Sequence, residues 1–273
     1  MTDTQEFPSS QTPRAPSRRS FASLRAIFAL VMREMSTSYG RSPGGYLWAV
    51  LEPVAGIAFL SLAFSILMRT PPLGNSFVMF YATGMLPYMM FNDVQNKVAQ
   101  SLLYSRQLLS YPNVTFLDAL LARFLLQVIT GLLISYVVLA GSMFFFEGRM
   151  HLEMVKIVKG FAMAAALGLG IGTLNAFIIA KIPVWQQAWS VLMRPLFLLS
   201  GVMLPFGVIP EPYRSWLWWN PLVHVTGMVR SGFYDFYDDY YVSSSYVMLV
   251  SMSTFALGLL LLRRHHRDIL DNA

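Results

Sequence analysis

The sequence predicts an all-α membrane protein with six transmembrane helices, and two observations support this class. Of its 273 residues, 55% are hydrophobic and 12% are charged, whereas a soluble domain carries about 25% charged residues. The apolar residues are also concentrated in runs near the ~20 residues that a helix needs to cross a bilayer. Strands that cross a membrane would show alternating apolar and polar residues instead.

Six apolar segments are predicted to cross the membrane. They cover residues 46–68, 77–92, 116–146, 159–180, 184–204 and 242–262, with approximate boundaries. Glu52 is the only charge in the first segment, and Arg194 with the proline after it interrupts the fifth. In the fourth, Gly168, Gly170 and Gly172 favour close packing against neighbouring helices.

Two segments precede the first span. Residues 1–19 are rich in Ser, Thr, Pro and Arg, which predicts a disordered cytoplasmic tail. Residues 20–40 are predicted to form an amphipathic interface helix, because their apolar residues recur at helical spacing. Those residues are Phe21, Leu24, Ile27, Phe28, Val31, Met32 and Met35. Arginines away from that face favour a helix along the cytoplasmic leaflet, and a helix packed on protein is the alternative.

The distribution of positive charge predicts that both termini are cytoplasmic. Short cytoplasmic loops of membrane proteins carry an excess of Lys and Arg. Six Arg residues precede the first predicted span and three follow the last. The connections after the second and fourth spans add Lys97, Arg106, Arg123 and Lys181. Basic residues on the other side weaken this bias without reversing it, and an even number of spans places both ends on one side.

The connection from residue 95 to residue 115 is too long for a plain turn. It contains a short amphipathic pattern that ends before Pro112. The pattern is formed by Leu102, Leu103, Arg106 and Leu109. From composition alone, this segment is either a docking helix for a cytoplasmic partner or a helix hairpin that joins two membrane helices.

The connection from residue 205 to residue 241 is the second long segment, and it is predicted to lie on the outer side. It is too apolar for a free loop, and prolines break it too often for one continuous span. Irregular backbone at membrane depth survives only where protein or a water-filled cavity covers it. A re-entrant pair of short helices is therefore predicted, acting either as an outer gate or as the aromatic belt common at membrane interfaces.

Motifs for catalysis and for ATP binding are absent from the sequence. No G-x-x-x-x-G-K-[ST] segment is present to cradle phosphates, and no H-E-x-x-H segment is present to bind zinc. The chain has no cysteine, which excludes thiolate metal sites. Mid-span carboxylates and the internal repeats typical of secondary transporters are also missing. We therefore expect neither an enzyme nor a secondary transporter, and no cofactor or nucleic acid bound to this chain.

Several short motifs, in their order and spacing, resemble those of the ABC-2 type polysaccharide-export permeases. In the first half they are Arg33-Glu34, Tyr39-Gly40-Arg41, Gly45-Tyr46-Leu47-Trp48-Ala49, Glu52-Pro53 and Thr83-Gly84-Met85-Leu86-Pro87-Tyr88. The stretch Leu108-Leu109-Ser110-Tyr111-Pro112-Asn113-Val114, with Asp118 and Ala122-Arg123-Phe124, resembles capsule-polysaccharide exporters specifically. Asn220-Pro221-Leu222, His224 and Arg230 match the segment before the last span. The resemblance covers about residue 24 to the C-terminus.

The resemblance implies a permease subunit in the inner membrane, with residues 41–273 as its ABC-2 type transmembrane domain. It would act as a homodimer, in contact with membrane lipids and with two copies of a separate cytoplasmic ABC ATPase, which would bind ATP and Mg. The substrate would be a lipid-linked polysaccharide. Capsular polysaccharide is expected first, and O-antigen or teichoic acid are the alternatives because their permeases share much of the pattern.

The residues themselves, together with the resemblance, indicate candidate sites. ATPase coupling is expected from Leu102, Ser105, Arg106, Leu108, Leu109, Tyr111 and Pro112. The substrate path is expected to include Glu52, Tyr88, Trp185 and Arg194. The outer gate is expected to include Trp216, Trp218, Trp219, His224, Arg230, Tyr234 and Tyr237. Aromatic rings suit sugars because sugar rings present apolar C–H faces, and Tyr adds a polar tip. Alternatively, Glu52 lies at a helix start, and Arg194 reaches the cytoplasmic interface or pairs at a dimer contact.

Overall fold

The computed structural model describes residues 22–38, 45–104, 115–146 and 152–271. Within these ranges the chain consists of helices and turns and contains no strand, which confirms the predicted all-α class. The predicted tail at residues 1–19 lies outside the described residues. So do six of the expected coupling residues, namely Ser105, Arg106, Leu108, Leu109, Tyr111 and Pro112.

Nine α-helices in the described ranges are numbered here in chain order. They are α1 Ala22–Ser38, α2 Gly45–Leu67, α3 Phe77–Ala99, α4 Phe116–Phe146, α5 Met154–Lys181, α6 Trp185–Leu198, α7 Tyr213–Leu217, α8 Pro221–Phe233 and α9 Ser244–Asp271. A short 3-10 helix, Phe206–Val208, precedes α7. The segment predicted as a pair of short helices thus contains α7 and α8.

Four of the described helices are long and apolar enough to cross a membrane. These segments are Leu47–Leu67, Phe116–Phe146, Met154–Lys181 and Ser244–His265. They coincide with the first, third, fourth and sixth predicted spans. The second and fifth predicted spans are helices of a different kind. The α3 helix continues past residue 92 into a polar stretch, and α6 has 14 residues, a length of about 21 Å. The count of six spans stays a prediction.

The centre of the molecule is formed by α3 and α5, which pack closely along their length. Glycines of α5 allow this approach, since a Cβ atom at Gly172 would lie 2.9 Å from the backbone oxygen of Gln95. A Cβ atom at Gly170 would collide with the backbone oxygen of Ser251 on α9. The predicted role of these glycines in close helix packing is therefore confirmed.

Side-chain caps fix the starts of two helices that bear on function. At α4, the Thr115 hydroxyl accepts the Asp118 N–H at 3.2 Å, and the Asp118 carboxylate accepts the Thr115 N–H at 2.9 Å. This reciprocal pair is a capping box, which satisfies backbone donors at a helix start. At α8, the Asn220 side chain accepts the Leu222 N–H at 3.1 Å. Pro221 follows as the first helical residue, where its missing N–H costs nothing.

Candidate functional site

A cavity between α3 and α6 combines aromatic and polar side chains. Its volume is about 440 Å³, and it is lined by Tyr88, Asn92, Asn96, Ser190, Met193, Arg194 and Phe197. The Tyr88 hydroxyl donates to the Met193 carbonyl at 3.0 Å. Its ring meets the Phe197 ring edge-on, with centroids 5.0 Å apart. The structure thus brings two expected path residues, Tyr88 and Arg194, into one cavity.

A network of amides and indoles holds α6 against α3 and α5 beside this cavity. Gln95 is fully buried, and its side-chain oxygen accepts the Trp189 indole N–H at 2.8 Å. The Trp185 indole N–H donates to Asn175 at 3.0 Å. Buried polar groups need such partners because an unpaired one costs about 1–3 kcal/mol. Trp185 therefore fixes the start of α6 to α5 and does not line the α3–α6 cavity.

Glu52 lies apart from the other three expected path residues. Its exposed side chain is on α2, and it lines a different cavity, which α2 forms with α3 and α4. Asp93 and Lys97 of α3 line that second cavity as well. The expected path residues thus do not form one group, since Glu52 lines one cavity beside α3 while Tyr88 and Arg194 line another.

Side chains of α8 bind a row of four consecutive backbone carbonyls directly after α6. Asn220 donates to the Leu199 oxygen at 2.9 Å, and Thr226 donates to the Ser200 oxygen at 2.8 Å. Arg230 donates to the carbonyls of Gly201 and of Val202, the latter at 2.9 Å. This row is called the carbonyl ladder below. It ties α8 to the C-terminal end of α6.

The Arg230 guanidinium at the end of the ladder is enclosed by α3. Its side chain is 1% exposed, and its central carbon lies 4.3 Å from the Phe80 ring centroid. A Cβ atom at Gly84 would lie 2.8 Å from its Nη2 atom, so only glycine leaves room for the arginine. Charge-assisted hydrogen bonds are stronger than neutral ones, which makes Arg230 a structural anchor for α8.

His224 occupies a fully buried position between α8 and the start of α9. Its Nδ1 accepts the Ser243 N–H at 3.2 Å, and its Nε2 lies 2.8 Å from the Trp218 carbonyl oxygen. Because a backbone N–H can only donate, Nδ1 carries no proton and Nε2 donates. Burial lowers the pKa of His224, which favours this neutral form.

The other residues expected in the outer gate divide into exposed and buried sets. Trp216 and Trp219 are 71% and 67% exposed. Tyr234 is buried, and the hydroxyls of Tyr237 and Tyr241 are 2.7 Å apart. The Trp218 indole N–H donates to the Tyr241 carbonyl at 3.1 Å. The exposed pair is available for contacts, whereas the buried set holds the segment together.

A cavity of about 660 Å³ lies beside this segment, and sequence reasoning did not single out its charged lining. Glu211 accepts the Arg214 N–H at 2.8 Å and the Ser215 hydroxyl at 2.6 Å, and Trp218 and Tyr240 add aromatic surface. Hydrogen bonds from Ser215 and Arg214 lower the pKa of Glu211. The cavity therefore presents both signs of charge beside aromatic rings.

A cluster at the opposite end of the molecule joins α1 to α3 and α4. The buried Arg123 of α4 forms an ion pair with Glu34 of α1 at 2.9 Å. It also donates to the Lys97 carbonyl at 3.3 Å and lies 4.6 Å from the centroid of the Tyr104 ring. Leu102 is buried in the apolar core. The cluster adjoins residues 105–114, so α1 is linked to the base of the expected coupling loop.

The sequence of this helical chain places it in a known class of membrane proteins. The chain is a member of the ABC-2 type transporter family, whose sequence pattern matches residues 25–234. It is 31% identical to the polysialic acid transport protein KpsM of Escherichia coli, over 90% of this chain and 95% of that protein.

Two further relatives show the same full-length similarity. The capsule polysaccharide export inner-membrane protein CtrC of Neisseria meningitidis is 24% identical, over 90% of this chain and 92% of its own length. The capsule polysaccharide export inner-membrane protein BexB of Haemophilus influenzae is 25% identical over the same shares. The predicted family is thereby confirmed.

Motifs that carried the resemblance in the sequence meet each other in the structure. Glu34 of the first motif pairs with Arg123 of a motif far along the chain. Gly84 provides the space for Arg230, and Asn220 caps α8 while it binds the Leu199 carbonyl. The motifs therefore mark the contacts that fix α1 and α8 to the helices around them.

Proposed function

We propose that this chain is the membrane-spanning permease subunit of an exporter that moves capsular polysaccharide across the inner membrane. The observation that carries the proposal is the similarity to KpsM, CtrC and BexB over 90% of the chain. The names of these relatives specify polysialic acid or capsule polysaccharide. They favour capsular polysaccharide over O-antigen or teichoic acid as the substrate.

The α3–α6 cavity has the chemistry that a sugar chain in transit would need. The Tyr88 and Phe197 rings offer flat apolar surface to the C–H faces of sugars. Asn92 and Asn96 offer amides that both donate and accept hydrogen bonds, and Arg194 offers five N–H donors. Such contacts bind a polysaccharide without fixing any single sugar unit, so the polysaccharide can slide past them.

Six spans, cytoplasmic termini, a homodimer and two copies of a separate ABC ATPase complete the proposal. The exposed apolar side chains of α2, including Phe59 and Ile66, support a surface covered by lipid or by a second copy. On α1, Phe28 and Met32 are exposed while Glu34 binds Arg123. This arrangement supports an interface helix that rests on α4 and turns its apolar face to the cytoplasmic leaflet.

The segment from residue 205 to residue 241 is proposed as the outer gate. Exposed Trp216 and Trp219 would contact the emerging glycan or the partner copy. The carbonyl ladder supports this role, since it connects α8 to α6 and therefore to the wall of the α3–α6 cavity. A change in the cavity wall would then be transmitted to the outer segment.

A complementation experiment in cells tests the proposed function. In a strain that lacks the chain, capsular polysaccharide should accumulate in the cytoplasm, and the wild-type chain should restore it to the cell surface. Arg194→Gln combined with Asn96→Leu should lower surface polysaccharide at an unchanged membrane level of the protein. Arg69→Gln, at an exposed turn away from the cavity, is the matched control. Full surface polysaccharide in the strain without the chain would refute the proposal.

A further inference from the structure

The cavity between α2, α3 and α4 has a composition unlike that of the α3–α6 cavity. Its volume is about 710 Å³, and three charged residues line it: Glu52 of α2 and Asp93 and Lys97 of α3. Gln127 and Ser135 of α4 add neutral polar groups. The remaining lining is mostly apolar, so the cavity has a charged part and an apolar part.

The charged side chains of this cavity are one lysine and two carboxyl groups. Asp93 and Lys97 are four residues apart on α3 and therefore lie on the same helix face. Glu52 approaches them from α2. Among the described residues, no ion pair joins Lys97 to either carboxylate. The cavity thus offers two carboxyl groups and one ammonium group to an occupant.

The charged and apolar parts occupy different depths. Lys97 belongs to the last turn of α3 and Glu52 to the first turns of α2, so the charged part lies at the end of the molecule that holds Arg123 and α1. Leu86, Met89 and Met90 line the cavity further back along α3, about 10–16 Å from Lys97. An occupant with a charged head at the membrane surface and an apolar tail toward its middle would match this profile.

We propose that this cavity binds a phospholipid whose headgroup carries a primary ammonium beside its phosphate, the chemistry of phosphoethanolamine. The ammonium would donate to Glu52 and Asp93, and the phosphate would lie against Lys97. One acyl chain would run along Leu86, Met89 and Met90. With the proposed orientation of the chain, this lipid would lie in the cytoplasmic leaflet. The lipid site itself does not rest on the proposed substrate.

Charge and hydrogen bonding favour a lipid with a primary ammonium over two other kinds of lipid. A lipid carrier joined to a glycan through phosphate is purely anionic, and two carboxylates would repel it. A phosphatidylcholine headgroup has a quaternary ammonium without N–H groups, so it cannot donate hydrogen bonds to Glu52 or Asp93. A lipid that carries both a donor cation and an anion satisfies all three charged residues, and charges inside membrane proteins generally have such partners.

Lipid retention measured by native mass spectrometry tests the proposal. The full chain with its partner ATPase is purified and exposed to equal amounts of phosphatidylethanolamine, phosphatidylcholine and phosphatidylglycerol with the same acyl chains. We expect preferential retention of phosphatidylethanolamine. Glu52→Gln with Asp93→Asn should lower that retention by about tenfold or more, because the ammonium loses both carboxylate acceptors. Lys97→Gln should lower retention of both zwitterionic lipids.

Two variants outside the cavity serve as controls for lipid retention. Asp235→Asn and Lys159→Gln change exposed residues outside this cavity and should leave lipid retention unchanged. Equal retention of all three lipids would overturn the proposal, as would preferential retention of phosphatidylglycerol. Absence of retained lipid from the intact complex would also overturn the proposal and would favour a second copy of the chain as the occupant. Lipid retention does not depend on export. Failure of the lipid proposal is therefore distinguishable from failure of the proposed function.

Discussion

Arg230 shows at the residue scale how one side chain fixes a functional element. It lies 1% exposed and binds the carbonyls of Gly201 and Val202. Replacement by Met would leave both carbonyls without this donor, and we expect a loss of about 1–3 kcal/mol in the free energy of unfolding. Arg230→Lys keeps the charge but cannot bind both carbonyls with the planar geometry of a guanidinium. Its loss in the free energy of unfolding should therefore be intermediate.

Thermal unfolding in detergent measures these effects. The Tm should fall in the order wild type, Arg230→Lys, Arg230→Met. Arg214→Lys is the matched control, because Arg214 lies at the outer surface and pairs only with its near neighbour Glu211 among the contacts described. An Arg230→Met protein with the wild-type Tm would show that the carbonyl ladder does not depend on its arginine.

His224 leads to a prediction about pH. Its Nδ1 accepts the Ser243 N–H, and burial lowers its pKa in the folded chain. An unfolded histidine titrates near pH ~6.5. As the pH falls through that value the unfolded state takes up the proton first, so stability present above it is lost toward acid pH. The Tm of the wild type should therefore fall between pH 7 and pH 5.

The part of this pH dependence that arises from His224 can be separated by mutation. His224→Gln should lower the Tm at neutral pH and flatten its decline toward acid pH. His265→Gln, on α9 and far from Ser243 in the chain, should retain the wild-type slope. If His224→Gln declines as steeply as the wild type, other groups carry the acid sensitivity.

At the scale of elements, the sequence predicted what depends on local composition. The bounds of α4 match those of the predicted third span, because its long apolar run is visible in the sequence and the Thr115–Asp118 cap fixes its start. The end of α3 was missed, since Gln95 becomes a core residue only through Trp189 and Asn175. The end of α6 was missed because Gly201 adopts a positive φ of 76°, which the apolar run conceals.

For the candidate sites too, the sequence predicted what depends on residue type and missed what depends on contacts between helices. Tyr88 and Arg194 were found from residue type and position within a span, and they share the α3–α6 cavity. Trp185, chosen for the same reasons, serves as a clamp on α5. Asp93 was overlooked, because its importance depends on Glu52, which approaches it from another helix, α2. Such contacts join residues far apart in the chain, and no local pattern encodes them.

Close packing of α5 gives a prediction at this scale. A Cβ atom at Gly172 would lie 2.9 Å from the Gln95 oxygen, and backbone cannot move aside easily. We expect Gly172→Ala to lower the free energy of unfolding by about 1–3 kcal/mol, as overpacking does, with a matching fall in Tm. Gly141→Ala on α4 is the control, since nothing lies within 4 Å of its added methyl group. Equal Tm values for both variants would contradict the described α3–α5 contact.

At the scale of the whole molecule, α3 separates two chemistries. The α3–α6 cavity on one side has Arg194 and amides but no carboxylate in its lining. The cavity on the other side has Glu52, Asp93 and Lys97. The carbonyl ladder connects the first cavity to the outer segment, and the Glu34–Arg123 pair connects the second to α1. The proposed glycan path and the proposed lipid site therefore lie along different faces of one helix, α3.

ATP-driven uptake into inverted membrane vesicles tests the central claim most directly. Vesicles that contain this chain and its partner ATPase are supplied with labelled lipid-linked capsular polysaccharide, and the protected label is measured. Uptake should require ATP and the chain, and it should fall in Arg194→Gln with Asn96→Leu but not in Arg69→Gln. Vesicles that hold both proteins and hydrolyse ATP, yet take up no more polysaccharide than vesicles without the chain, would contradict the account.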